Sequence, residues 1–217
     1  MKVINFADTP SVVSQYMSEL RDVNIQGDMM RFRRNLERIG EIMAYEISKT
    51  IGFDTVPVET PLGTSMCQRI ATPIVLGTIF RAGLPFHQGF LKYFDTAENA
   101  FVSAYRKYKE GHDEFDIYIE YIASPRLDDK TLILADPMLA TGSSMELSYR
   151  ALLTKGVPSA THLAAVIASR KAVDFVAEHF PQDTTLWVGA IDDEINAHSY
   201  IVPGLGDAGD LAYGIKE

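Results

Sequence analysis

The chain has 217 residues, 47% of them hydrophobic, which suffices for one good-sized core or a core with a small appendage. A formal net charge of −9 argues against general nucleic-acid binding, which relies on Lys and Arg neutralising phosphates, yet leaves room for a small anionic ligand held by a few local arginines. The one cysteine, Cys67, rules out an internal disulfide and fits a reducing compartment. Residues 1–8 lack the apolar run of a signal peptide, and no segment reaches the ~18 apolar residues of a membrane span, so a cytoplasmic protein with no membrane partner is expected.

Residues 9–21 are expected to form a first short helix, with Thr9 as cap and Pro10 in the first turn. Residues 28–50 form a longer one, since Met29, Phe32, Leu36, Ile39, Met43 and Ile47 recur at steps of three and four. Two short β-like runs, 55–58 and 66–70, flank the turn Pro61-Leu62-Gly63 and read as a hairpin outside the main sheet. From Pro73 onward strands alternate with helices. Residues 74–79 are a buried strand ending near Arg81, with a helix to about residue 93. A strand at 100–105 ends in Arg106. A polar, Gly-containing loop spans 107–115, and a half-exposed strand spans 116–123. Further strands are expected at 131–135, 163–168 and 185–191, with a helix at 171–180.

This alternation predicts an α/β fold: a mostly parallel sheet with helices on both faces, plus a small hood from the β-hairpin and a C-terminal arm. The whole chain, 1–217, is expected to be one domain: N-terminal helices and hairpin (1–70), α/β core (71–195) and a Gly-rich arm (196–217). Ligands of such sheets bind beyond the carboxyl ends of the strands, where Arg81, Arg106 and Asp136 all fall.

The most informative stretch runs from Thr131 to Glu146. A fully apolar strand ends at Asp136, a short loop follows, and a helix opens where Ser143 and Glu146 are spaced as a capping box. The first amides of a helix have no partner within it, so the loop can seat a phosphate, with Thr141, Ser143 and Ser144 adding hydroxyls. Asp136 would repel a phosphate and instead faces sugar hydroxyls or a metal ion. The same spacing also fits an ordinary βα turn whose Thr and Ser only cap a helix. Neither a P-loop nor a dinucleotide fingerprint is present. The histidines, His87, His112, His162, His179 and His198, are scattered, and no activated nucleophile stands out.

The segment Asp136-Pro137-Met138-Leu139-Ala140-Thr141-Gly142, behind its apolar strand, resembles the 5-phosphoribosyl 1-diphosphate (PRPP) loop of the uracil phosphoribosyltransferases, a branch of the type I phosphoribosyltransferases. Two more blocks match that family in order along the chain. One is Arg81-Ala82-Gly83-Leu84; the other, the most specific, runs from Tyr200 to Asp210 as Tyr-Ile-Val-Pro-Gly-Leu-Gly-Asp-Ala-Gly-Asp. The resemblance implies transfer of the phosphoribosyl group of PRPP to N1 of uracil, giving UMP and diphosphate. It implies that PRPP is bound by Arg81, Arg106, Asp136, Pro137, Met138, Leu139, Ala140, Thr141, Gly142, Ser143, Ser144 and Asp207. Uracil is implied at Ile201, Gly206, Asp207 and Ala208, and catalytic roles at Asp207 and Arg106. Mg²⁺ is implied as cofactor, carried mainly by PRPP rather than by protein ligands. A homo-oligomer, dimer or higher, is implied as well.

The chain departs from the family pattern in three places. Ser143 stands where a second Gly is usual, Ser169-Arg170-Lys171 where Pro-Glu-Gly is usual, and Lys107-Tyr108 where Asn-Glu is frequent. The alternatives are a type I phosphoribosyltransferase for another base, which the C-terminal block argues against, and a PRPP-sensing regulator that binds RNA, which the acidic balance argues against.

Overall fold

The computed structural model describes residues 1–108 and 115–216. In chain order its elements are β1 (Lys2–Asn5), α1 (Val12–Arg21), α2 (Met29–Ser48), β2 (Phe53–Thr60), β3 (Gly63–Ile70), β4 (Ile74–Phe80), α3 (Gly83–Leu91), β5 (Glu98–Tyr108), β6 (Phe115–Ala123), β7 (Thr131–Ala135), β8 (Met138–Leu139), α4 (Ser143–Leu153), β9 (Ala160–Ser169), α5 (Arg170–His179), β10 (Thr185–Asp192), β11 (Glu194–Ile195), β12 (Ile201–Val202) and α6 (Ala208–Tyr213).

The main sheet has the order β1-β10-β9-β7-β4-β5-β6, with β8 added alongside β9. Pairing is parallel throughout except between β5 and β6, which form an antiparallel ribbon at one edge. Alternate side chains of the central strands feed two opposite cores. Leu76, Ile133, Ala164 and Val166 pack with α1, α2 and α3, whereas Val75, Leu132, Leu134 and Leu163 pack with α4 and α5. Because both faces are covered, these strands read as unbroken apolar runs rather than as alternation.

Helix α2 is fully buried along Phe32, Leu36, Ile39, Met43 and Ile47, the stripe its 3.6-residue period predicts. Each such side chain contributes roughly 1.5–3 kcal/mol of burial. It crosses α3 closely through two glycines: a Cβ on Gly40 would lie 2.4 Å from the Phe86 carbonyl oxygen, and one on Gly89 would lie 2.2 Å from that of Glu37. Among the described residues no helix is long and apolar enough to cross a membrane.

The strand order reverses between β4 and β7. From β4 the chain passes over α3 to β5 on one side; from β7 it passes over α4 to β9 on the other, and the two helices lie on opposite faces. Right-handed crossovers running in opposite directions leave a crevice at such a switch point. Its two walls end in Arg81 and Asp136.

Several expectations are corrected. The first helix begins at Val12, not at Thr9: Ser11 is its cap, in a reciprocal capping box with Ser14, and Pro10 precedes it. Arg106 lies inside β5, opposite Ile117 of β6, because the ribbon keeps pairing beyond the edge of β4. The loop expected at 107–115 is replaced at its ends by strand, and 109–114 lie outside the described residues, as does His112. The Ser143/Glu146 capping box does not form. Gly142 is the cap residue, Ser143 is already helical, and Glu146 pairs with Arg150 one turn on, 2.5 Å away. The hairpin of β2 and β3 is a separate two-stranded sheet, as expected. The Gly-rich arm is built: β12 pairs with β11, and α6 packs on α2, where Arg33 donates to the Ala212 carbonyl at 2.6 Å.

Candidate active site

The segment after β7 is stitched onto β9. The Asp136 amide donates to Ala164, and the Pro137 carbonyl accepts from both Val166 and Ile167 at 3.1 and 3.0 Å. Met138 and Leu139 then pair with Ile167 and Ala168 as β8. One oxygen of Asp136 accepts from the Met138 amide at 3.1 Å, folding the carboxylate back against its own loop. Pro137 therefore acts through its carbonyl, as a structural anchor.

The chain next turns through Gly142 in the left-handed region, φ +85°, and enters α4. The first intrahelical bond runs from the Glu146 amide to the Gly142 carbonyl, so the amides of Ser143, Ser144 and Met145 precede it. The Thr141 hydroxyl donates to Ser143 Oγ at 3.2 Å. Asp136, Met138, Leu139, Ala140, Thr141, Gly142, Ser144 and Met145 line a small depression over this helix opening. All but Met145 were expected there from the sequence. The concavity, the first-turn amides and the hydroxyls suit a phosphate, and the positive end of α4 favours its charge.

Across the switch point, Arg81 donates to Asp210 at 2.5 Å and to the Gly214 carbonyl at 3.1 Å, so its guanidinium is turned toward the C-terminal arm. A Cβ built on Gly209 would lie 3.0 Å from Arg81 Nη2 and 3.1 Å from Asp207 Oδ1. A side chain at position 209 would press on the ends of both, and each would have to give by a few tenths of an ångström. Asp207 caps α6, accepting from the Asp210 amide at 3.0 Å, with Lys216 at 3.4 Å. Burial raises its carboxyl pKa, but the Asp210 amide and Lys216 outweigh that, and it titrates below the usual range.

Ile201, Leu205 and Ala208 are buried in the core on the face covered by α1, α2 and α3, to which Ala135 and Ala140 also belong. Gly206 is exposed, with φ +92°. Arg106 is placed only by its backbone, in the ribbon beyond the β4 edge. Of the expected site, then, the loop, Arg81 and the arm converge. His87, His162, His179 and His198 take no part in it. His87 and His162 are buried, and burial pulls both imidazoles below their ordinary pKa.

Four supporting side chains escaped sequence reasoning. The Ser169 hydroxyl donates to the Ala140 carbonyl at 2.6 Å while accepting from the Ala172 amide at 2.9 Å, so one buried residue caps α5 and holds the loop. The Phe175 ring lies against Gly142. Arg21 and Asp192 grip Gly204 in the arm. Ser169 sits where the sequence leaves the family pattern, which was the one local signal; the others carried none.

A doubly covered parallel sheet whose switch-point loop opens a helix over a small depression, with an arginine opposite that is bonded to a glycine-rich arm, is the architecture of a type I phosphoribosyltransferase. Residues 7–215 match the family model described as uracil phosphoribosyltransferase. The uracil phosphoribosyltransferase of Porphyromonas gingivalis is 60% identical over 216 residues, covering 100% of both chains. That of Methanothermobacter thermautotrophicus is 43% identical over 189 residues, covering 86% of this chain and 85% of its own. The AQ2163 protein from Aquifex aeolicus superposes with a TM-score of 0.87 at 27% identity, over 98% of each chain. The chain belongs to the uracil phosphoribosyltransferase family.

Proposed function

We propose that the two halves of the crevice hold the two substrates of one displacement. As a uracil phosphoribosyltransferase, the chain transfers the phosphoribosyl group of PRPP to N1 of uracil, releasing diphosphate. The 5-phosphate takes the depression from Ala140 to Ser144, where hydroxyls and first-turn amides meet it. The Asp136 carboxylate accepts from the ribose hydroxyls. Arg81, once turned from Asp210, and Arg106 are assigned to the diphosphate, for which a guanidinium offers forked donors. Uracil offers two carbonyls and an N3–H, which backbone groups of Ile201 and of Gly206, Asp207 and Ala208 match without a charged side chain. Cytosine, with an amino group in place of one carbonyl, leaves such a site unpaired and is refused.

The bond from C1 of the ribose to the diphosphate oxygen breaks as the bond to N1 forms, through an oxocarbenium-like transition state, and the N1 proton is released with the diphosphate to solvent. The work of the protein is placement and stabilisation of the departing charge. Asp207, the cap of α6 between Gly206 and Ala208, is assigned to orient the attacking ring nitrogen. Mg²⁺ is usually held largely through substrate phosphates, and here PRPP would carry it. When bound, it would neutralise diphosphate charge. A cytoplasmic enzyme assembled as a homo-oligomer completes the reading, supported by the lone Cys67 and by the exposed Phe53, Leu62, Met66 and Ile70 of the hairpin.

The observation that carries this reading is the pair of bonds from Arg81 to Asp210 and to the Gly214 carbonyl, which ties the β4 end of the crevice to the arm. Its test is UMP formation from uracil, PRPP and Mg²⁺, with cytosine as the rejected control. Arg106→Ala should raise the KM for PRPP and spare that for uracil. An unchanged PRPP dependence removes Arg106 from the site, and Asp207→Asn with full turnover removes Asp207 from the chemistry.

A further inference from the structure

A base recognised only by backbone groups needs that backbone held still, because hydrogen bonds weaken steeply as distance and angle drift. The arm from Ile201 to Gly206 has little regular structure to hold it: β12 is two residues long and α6 starts only at Ala208. Glycines at 204 and 206 add freedom, both at positive φ.

One ion pair compensates at Gly204. Asp192, the last residue of β10, accepts the Gly204 amide at 2.8 Å through Oδ2. Arg21, in the last turn of α1, donates to the Gly204 carbonyl at 3.0 Å. The two side chains also lock each other in a fork, Nη2 to Oδ1 at 2.7 Å and Nη1 to Oδ2 at 2.8 Å. Both polar groups of Gly204 are thus engaged by a single bidentate pair whose carboxylate side chain is 8% exposed. Gly204 in turn packs on the Ile201 carbonyl so tightly that a Cβ there would sit 2.1 Å from that oxygen. Gln26 extends the grip, donating to the Leu205 carbonyl at 3.2 Å and to that of Leu20 at 2.8 Å. The chain from Ile201 to Leu205 is therefore set by the rigid end of the sheet and by the first helix. Neither Arg21 nor Asp192 hydrogen-bonds a residue of the phosphate loop; their bonds go to each other and to Gly204.

We propose that Arg21 and Asp192 are positioning residues for the base: their ion pair fixes Gly204 and so sets the register of the backbone that reads uracil. This rests on the assignment of Ile201 and Gly206 to Ala208 as the uracil site. Lysine cannot reproduce the fork. Its single ammonium can meet one Asp192 oxygen or the Gly204 carbonyl but not hold all three in a plane. Arg21→Lys should therefore keep the charge, loosen the arm and raise the KM for uracil about tenfold or more. The KM for PRPP and the affinity for ribose 5-phosphate measured by calorimetry should stay within about twofold, as neither side chain bonds to the loop. Asp192→Asn, which loses the ion pair but can still accept one bond, should act in the same direction, and combining the two changes should add little because both remove one interaction.

A uracil KM within twofold of wild type in folded Arg21→Lys overturns the proposal. So does a parallel rise in both KM values, or an Arg21→Lys protein that does not fold, since the pair then holds the fold and not the base. A wild-type protein that forms no UMP refutes the substrate assignment instead. UMP formation with normal base affinity in Arg21→Lys refutes the pair alone.

Discussion

Gly142→Ala is the most direct probe of the phosphate loop. Gly142 has φ +85°, where an L residue costs roughly 1–2 kcal/mol. The added methyl would also meet Phe175 Cδ1 at 2.5 Å, against the ~3.5–4.0 Å of a relaxed carbon contact. Overpacking of this kind costs about 1–3 kcal/mol. The total is about 2 kcal/mol at the least, and it must be felt in one of two ways. If the loop keeps its shape, the folded state bears the cost, and Tm falls by about 4–8 °C for a chain of this length. If the loop relaxes, the amides leave their positions and affinity for ribose 5-phosphate drops by more than tenfold, each tenfold being about 1.4 kcal/mol. Melting curves and calorimetric titration with ribose 5-phosphate separate the two. Adding Phe175→Ala should remove the crowding and leave only the backbone cost, so Gly142→Ala should do less harm in that background. Were Gly142→Ala to leave both Tm and ribose 5-phosphate affinity untouched, or Phe175→Ala to bring no relief, the loop would not be held as described.

Two further outcomes are expected. Ser169→Ala leaves the Ala140 carbonyl and the Ala172 amide without their buried partner, which should cost about 1–3 kcal/mol and raise the KM for PRPP more than that for uracil; equal KM values would detach Ser169 from the loop. His162 is held neutral in the folded state, its pKa pulled by burial from 6.5 to about 4, while its Nδ1 accepts from Trp187 Nε1 at 3.2 Å. The unfolded chain takes up a proton below about pH 6.5 and the folded one only near pH 4, so stability is intact above 6.5 and drains by about 3 kcal/mol as the pH falls to 4. Trp187 is the one tryptophan, so urea unfolding followed by its fluorescence reads the change, and His162→Gln should flatten that stretch of the pH profile.

The fold was legible where local sequence and burial say the same thing. Strands β4, β7, β9 and β10 are covered on both faces, so their apolar runs had one reading, and α2 carries its stripe over twenty residues. The elements that escaped are short or depend on distant partners. β1 is four residues that become a strand only by pairing with β10 some 180 positions later. β8 is a dipeptide held by β9, and α6 is a six-residue helix hidden among glycines. The position of Arg106 was misjudged for a related reason: no composition change marks where β5 leaves β4 and continues with β6 alone.

The site divides along the same line. The phosphate loop is contiguous, so its chemistry is written in one stretch from Asp136 to Ser144. What holds that loop and the arm is not contiguous. Ser169 reaches Ala140 across 29 positions, and Arg21 reaches Asp192 across 171. A hydroxyl or an ion pair becomes a support only once the sheet has brought its partner within about 3 Å, and nothing in its own neighbourhood foretells that. In the proposed site the phosphate and ribose contacts are grouped by sequence because one βα turn would present them. The groups that hold that turn and the arm, Arg21, Ser169 and Asp192, come from the last turn of α1 and the carboxyl ends of β9 and β10. Motif resemblance therefore names the family, whereas a pair such as Arg21 and Asp192, 171 positions apart, is visible only in the folded chain.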